Sequence, residues 1–207
     1  MKKFGFTLAE IMIVVGLLGV VAALTIPNLS YNKMKREYAV KIKHFYSQVD
    51  NAVAQMELEK GSFRDMKLPA NNRAAYEWYM ANVDPFIGHK YIKNPDADQP
   101  FIYLKDGARI QLYKGGCVDL SYDVNGDAGN GKVGREYFVF LFCFSNDNRE
   151  YWFGDKNTFW GVYGSGIQGK DITRQDMINK CNTEPAWCSK LLQYDDWEFK
   201  SDYPKFH

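Results

Sequence analysis

The stretch from Gly5 to Leu29, GFTLAEIMIVVGLLGVVAALTIPNL, constrains this chain more than any other feature. A helix needs about 20 mainly apolar residues to cross a bilayer, and this run supplies them. Lys2 and Lys3 stand in front of it, and one acid, Glu10, lies inside it. A carboxylate in hydrocarbon costs on the order of 2.5–3.5 kcal/mol on insertion scales, so an acid there is expected to have a partner or a function. An ordinary secretory signal also has a basic start and an apolar run, but it is cut after the run, next to small residues. Here the glycine precedes the run and Glu10 interrupts it.

A cut between Gly5 and Phe6 gives Phe6 a free α-amine, about one helical turn from Glu10 or beside the Glu10 of a neighbouring copy. Either pairing neutralises a charge that lipid penalises, and the cut also removes Lys2 and Lys3. The segment Gly5-Phe6-Thr7-Leu8-Ala9-Glu10, followed by an apolar stretch and then Pro27, resembles the type III signal of type IV pilins and type II secretion pseudopilins. The resemblance covers only about the first thirty residues. It implies cleavage after Gly5 by a membrane prepilin peptidase, N-methylation of Phe6, and assembly of many copies into a filament on an inner-membrane platform. The implied division is a leader at 1–5, a transmembrane and filament-core helix at 6–29, an amphipathic continuation at 30–60 and a globular domain at 61–207 outside the cytoplasm. Pilus, secretion pseudopilus and DNA-uptake filament all stay open, as do major and minor subunit.

Orientation contains a conflict. Lys2 and Lys3 favour a cytoplasmic N-terminus, but Lys33, Lys35, Arg36, Lys41 and Lys43 follow the run, and a bare count of positive charges inverts the protein. The cysteines and the resemblance favour a translocated C-terminal domain. Gly16 and Gly19 allow close helix–helix approach. Pro27 removes one backbone hydrogen bond and either loosens the helix or marks the membrane exit.

Beyond the run, Tyr31, Met34, Tyr38, Ile42, Phe45, Val49, Ala52 and Met56 recur every three or four residues, with charged and amide side chains between them. This is one apolar stripe and one polar face. Gly61 is placed to end the helix. From Phe6 to Lys60 such a rod is about 80 Å long.

The expected fold class is α+β: a pilin-like long N-terminal helix packed on an antiparallel sheet, with a disulfide-stapled C-terminal region. About 175 residues remain past the first thirty, enough for one domain with a core. Net charge is +1, which gives no electrostatic reason to expect nucleic acid. Aromatics are 16% of the chain, which suits a β-rich core and an extensive interface. Cys117, Cys143, Cys181 and Cys188 form an even set that suits an oxidising compartment. They allow three connectivities, of which Cys117–Cys143 and Cys181–Cys188 join cysteines that are close in the expected topology. Zinc is disfavoured, because no CxxC occurs and His44, His89 and His207 are scattered.

Residues 61–100, broken by Pro69, Pro85, Gly88, Pro95 and Pro100, read as a connecting region with a short helix at Arg73–Asn82. In pilins this region is a surface loop, so contact with neighbouring subunits is expected. Antiparallel strands are expected at Phe101–Leu104 and Arg109–Tyr113, joined at Asp106-Gly107, then at Cys117–Tyr122, Glu136–Phe144, Tyr151–Phe153 and Thr158–Tyr163.

Asp123, Asn125 and Asp127 alternate like the first ligands of a calcium loop, and Gly129 could offer a carbonyl. The twelfth position is Gly134 rather than an acid, so Glu136 would have to substitute; the competing reading is a loop of Asx turns. Gly164-Ser-Gly166-Ile-Gln-Gly169 spells GxGxxG, but too little chain follows for a dinucleotide-binding unit. In the tail, Asp171-Ile-Thr173 is expected to cap a helix at Arg174–Asn179. Cys181 and Cys188 would staple a loop around Pro185, and Leu191, Leu192, Trp197 and Phe199 would dock on the domain.

The leading functional expectation is a structural filament subunit, not an enzyme. The alternative is a low-copy minor or tip pilin whose aromatic domain binds a partner or surface. No HExxH or GxSxG motif supports a membrane-tethered enzyme.

Overall fold

The computed structural model of the chain describes Gly5, residues 7–127, 132–164 and 172–206, and of residues 26–28 the backbone only. Helix α1 (Leu8–Lys60) runs for 53 residues and is helical through Pro27. Two compact units divide the chain, residues 1–38 and residues 39–207.

In the first unit α1 is apolar on every side from Ile11 to Leu24. Leu8, Met12, Val15, Leu18, Val21 and Leu24 are all exposed. One 18-residue window has a mean hydropathy of 2.4, and this is the one helix among the described residues long and apolar enough to cross a membrane.

In the second unit the expected stripe is the buried one. Ile42, Phe45, Val49, Ala52 and Met56 are almost wholly covered, while Val40 and Asp50 face solvent. Gly61 ends the helix at φ +92°, a conformation that favours glycine. The remainder is a six-stranded antiparallel meander in chain order: β1 (Tyr91–Lys93), β2 (Phe101–Tyr103), β3 (Arg109–Lys114), β4 (Val118–Asp123), β5 (Tyr137–Phe142) and β6 (Trp160–Val162). Gly107, at φ +87°, makes the β2–β3 turn. Strand alternation sends Tyr122 and Phe140 towards α1, where Phe45 stacks on Tyr122 at 4.2 Å between ring centres and meets Phe140 at 5.8 Å.

Three expectations are corrected. Tyr151–Phe153 is not a strand but the last turn of α4 (Asn146–Phe153). The Ser145 side chain caps its first turn, Arg149 is buried within it, and Gly154 closes it in the left-handed region. Three aromatic residues in a row carried strand propensity, and the capping residues on either side overrode it.

Residues 61–100 are not only a surface connection. Helix α2 (Asn72–Asn82), capped by Asn71, buries Tyr79 completely, and its Trp78 meets Phe142 and Phe144, each at 5.1 Å. Short α3 (Asp84–Ile87) and β1 follow, so this region also supplies core and a sheet edge.

The C-terminal region is more helical than expected. It holds α5 (Arg174–Thr183), capped by Thr173 with Asp176 reciprocating, and α6 (Cys188–Tyr194). Asp171, the start of the expected cap, lies outside the described residues.

The bridges Cys117–Cys143 and Cys181–Cys188 are both present. The first joins the residue before β4 to the residue after β5, next to the paired Val118 and Phe142. The tail is held by Arg174, whose guanidinium donates to both Asp195 (2.6 and 2.8 Å) and Asp202 (2.6 and 2.7 Å). The buried Tyr203 hydroxyl donates to the Gly134 carbonyl at 2.7 Å.

Candidate functional site

The N-terminal end of α1 is the first candidate. Gly5 is exposed, and Phe6, the residue expected to follow the cut, lies outside the described residues. Glu10 does not project alone. Its Oε2 accepts from the Thr7 backbone N–H at 2.8 Å and from the Thr7 hydroxyl at 2.7 Å, and the Glu10 N–H donates to Thr7 Oγ1 at 3.3 Å. This reciprocal pair is a capping box, which satisfies helix-start N–H groups that lipid could not. The signal was present in the sequence as Thr7-x-x-Glu10 ahead of an apolar run, and attention to the acid alone passes over it. Near the other end of the run the Thr25 hydroxyl donates back to the Val21 carbonyl at 2.9 Å, hiding its own polarity in the same way. Pro27 lies within the helix, and its side chain is outside the described part.

The loop after β4 is the second candidate. Asp123 is 1% exposed and takes Arg109 Nη2 at 2.8 Å; the two residues are cross-strand partners in register. Burial pushes the Asp123 carboxyl up, and the Arg109 charge pulls against it. Asn125 Oδ1 accepts from the Asp127 N–H at 3.1 Å, an Asx turn. Gly129 lies outside the described residues. Among the described residues, no group of three or more His, Cys, Asp or Glu side chains is placed to hold a metal ion. What the described part of the loop does is orient Asp123 into a buried ion pair. Of the GxGxxG stretch only Gly164 is described, and it follows an antiparallel strand rather than a parallel one.

His89 Nδ1 lies 2.8 Å from Asp84 Oδ2 just after α3. The nearby hollow lined by His44, Gln48, Gly88, Lys105 and Asp106 measures about 140 Å³, below the roughly 300–1,000 Å³ of a small-molecule pocket.

A third feature emerges only in the folded chain. On the sheet face opposite α1, Asp119 stands between its cross-strand neighbours Tyr113 and Leu141. It is half-buried, and no described residue gives it a hydrogen bond or ion pair. Burial pushes its carboxyl up to about 6. An unfolded Asp titrates near 3.9, so the folded chain binds this proton more tightly. The contribution of Asp119 to stability therefore falls as pH rises from about 4 through 6 and is least favourable above 6. Asp119→Asn is expected to raise the unfolding free energy at pH 7.5 by roughly 1–2 kcal/mol and to flatten the profile between pH 4 and 7. Urea unfolding of the full chain in detergent micelles at several pH values checks this; an unchanged profile refutes it. Strand alternation places Asp119 on the outer face, but nothing in the sequence marks it as unpaired.

The general class is α+β: a long N-terminal helix whose first part is apolar enough to cross a membrane, and a six-stranded antiparallel sheet with two disulfides. A family model matches residues 28–206, and the chain belongs to that family, a family of unknown function (DUF6613). No curated protein and no solved structure matches the chain significantly. The matched region begins at Asn28, so the family is defined on the domain and the second part of α1, and the apolar run lies ahead of it.

Proposed function

We propose that this protein is a pilin-like filament subunit. In this reading it is held in the cytoplasmic membrane by the first part of α1, with its domain outside the cytoplasm. Prepilin peptidase cuts it after Gly5, and copies assemble through their apolar helices on an inner-membrane platform. The observation that carries the reading is the first unit of α1. From Leu8 to Leu24 it is apolar around its circumference and exposed, and the one acid in that run, Glu10, sits at the N-terminal end beside the expected cut. Such a surface needs lipid or other copies of itself. In the uncut chain Glu10 is held by Thr7. After the cut, the Phe6 amine offers the same carboxylate a full positive charge. The two disulfides support an oxidising compartment.

Intact mass and N-terminal fragmentation of the protein from its host's membranes and sheared surface fraction test this. A chain beginning at methylated Phe6 in the sheared fraction supports both processing and filament incorporation. Processed protein confined to membranes points to a pseudopilin or low-copy initiator. A chain still beginning at Met1, or cut after Ala23, refutes the proposal.

A further inference from the structure

Asp119 lies in a niche built from several elements. Its Oδ1 would be 3.7 Å from a side chain placed at Gly115, and the Gly115-Gly116 turn leaves that flank without side chains. The Asn148 side chain donates to the Gly116 carbonyl at 2.6 Å and ties the turn to α4. On the far side, Leu141 packs with the Cys117–Cys143 bridge, Trp152 and Tyr163. The Trp152 and Tyr163 rings are 4.7 Å apart.

The Tyr163 hydroxyl donates to Glu184 at 2.6 Å, and its phenol is pushed up first by burial, then by Glu184, and also by the Asp119 charge. Glu184 touches the phenol, and Asp119 acts on it through space. Glu184 is engaged by Tyr163 and by the Trp187 indole N–H at 3.0 Å, and Lys180 lies over the Trp187 ring at 5.4 Å. Among the described residues Asp119, beside its strand partner Tyr113, has no cation to compensate its charge. A half-buried carboxylate with no cation among the described residues suits an ammonium or guanidinium group, which gains a charge-assisted hydrogen bond there.

We propose that Asp119 and the rings around it form a docking site for a basic side chain of a second copy of this chain, supplied by the Lys33–Arg36 stretch of its α1. The proposal rests on the filament reading above. Charge distribution selects the donor. The chain is near neutral overall, yet residues 33–43 hold five Lys or Arg against one acid, Glu37. Lys41 donates to the Asp106 and Val124 carbonyls, Lys43 pairs with Asp196, and Lys35 lies over the Tyr31 ring at 4.6 Å within its own helix. Among the described residues Lys33 pairs with Glu37, at 3.6 Å, and both side chains are more than half exposed. An exposed pair of that kind contributes little and is readily exchanged. The niche, in turn, holds a carboxylate that needs a cation.

The test is zero-length carbodiimide coupling of full-length protein in its host's membranes and sheared fraction, using mixed light and heavy isotope-labelled copies, followed by peptide mass spectrometry. The expected product is an inter-copy amide between Asp119 and Lys33 or Lys35. In Asp119→Asn it should fall at least tenfold while other inter-copy links persist. Near-UV circular dichroism and intact disulfides establish that the variant is folded. Inter-copy links that never include Asp119 overturn this inference and leave the filament reading standing. An Asp119 link to a different protein also overturns it. The absence of any inter-copy link overturns both.

Discussion

Glu10→Ala is expected to leave cleavage after Gly5 and folding of the domain intact, and to lower recovery in the sheared filament fraction by at least tenfold. The size follows from the cost of a misplaced charge. In the proposed filament, an incoming copy whose Glu10 finds the Phe6 amine of its neighbour is neutralised, and one that misses keeps a carboxylate in hydrocarbon, at on the order of 2.5–3.5 kcal/mol. That difference corresponds to a factor of about 10² between correct and incorrect register. Alanine removes both the reward and the penalty, so register is no longer selected. It also removes half of the Thr7–Glu10 capping box, a loss of about 0.5–2 kcal/mol at the helix start. Glu10→Gln separates the two effects, since the amide oxygen still accepts from Thr7 but carries no charge. If capping is what matters, Gln assembles like the wild type; if charge matters, Gln fails like Ala. Wild-type recovery of both variants in the sheared fraction sinks the register idea.

Phe45→Ala is expected to destabilise the domain by about 3–5 kcal/mol. Phe45 is 1% exposed and fills the contact between α1 and the strands that carry Tyr122 and Phe140. Its removal leaves a cavity lined by rings that cannot collapse into it, because β4 and β5 are held in register on both sides and bridged by Cys117–Cys143. Against a total stability of about 5–15 kcal/mol, this is a large share. Val40→Ala, on the solvent face of the same helix, is the control and should cost less than about 0.5 kcal/mol. Denaturant unfolding of both variants in micelles, followed by tryptophan fluorescence, decides the matter. Equal midpoints would mean that the stripe is not the load shared between helix and sheet.

The stripe was legible because helical period and burial coincide from Ile42 to Met56, and the sheet because turn glycines separate β-rich runs, as at Gly107. The disulfides followed from that topology. What was hard to read has physical causes. Tyr151-Trp152-Phe153 has the composition of a strand, and only Ser145 and Gly154, at the two ends of α4, mark it as a helix. Tyr79 in α2 gave no warning that a proline-punctuated region would enter the core. For Asp123, alternating polar spacing suggested a metal loop, while its actual partner, Arg109, stands fourteen residues earlier and faces it only once β3 and β4 pair. Asp119 could not be singled out, because lacking a partner is a property of the folded surroundings and not of a residue type.

The order in which the chain emerges sets a problem that the finished fold conceals. The helix stripe precedes every strand that covers it. From Met56 to the end of β5 at Phe142 are 86 residues, about 4–17 s of synthesis at typical rates. For that interval the stripe emerges before its partner exists, next to a segment long and apolar enough to cross a membrane. A meander shortens the wait, because each strand pairs with the one just before it and no distant strand has to return. The Cys117–Cys143 bridge can form only after β4 and β5 have both appeared, so it locks a helix cover that has already been laid down. In the proposed membrane-held subunit, the bilayer acts as a temporary chaperone, holding the first part of α1 while the domain completes itself.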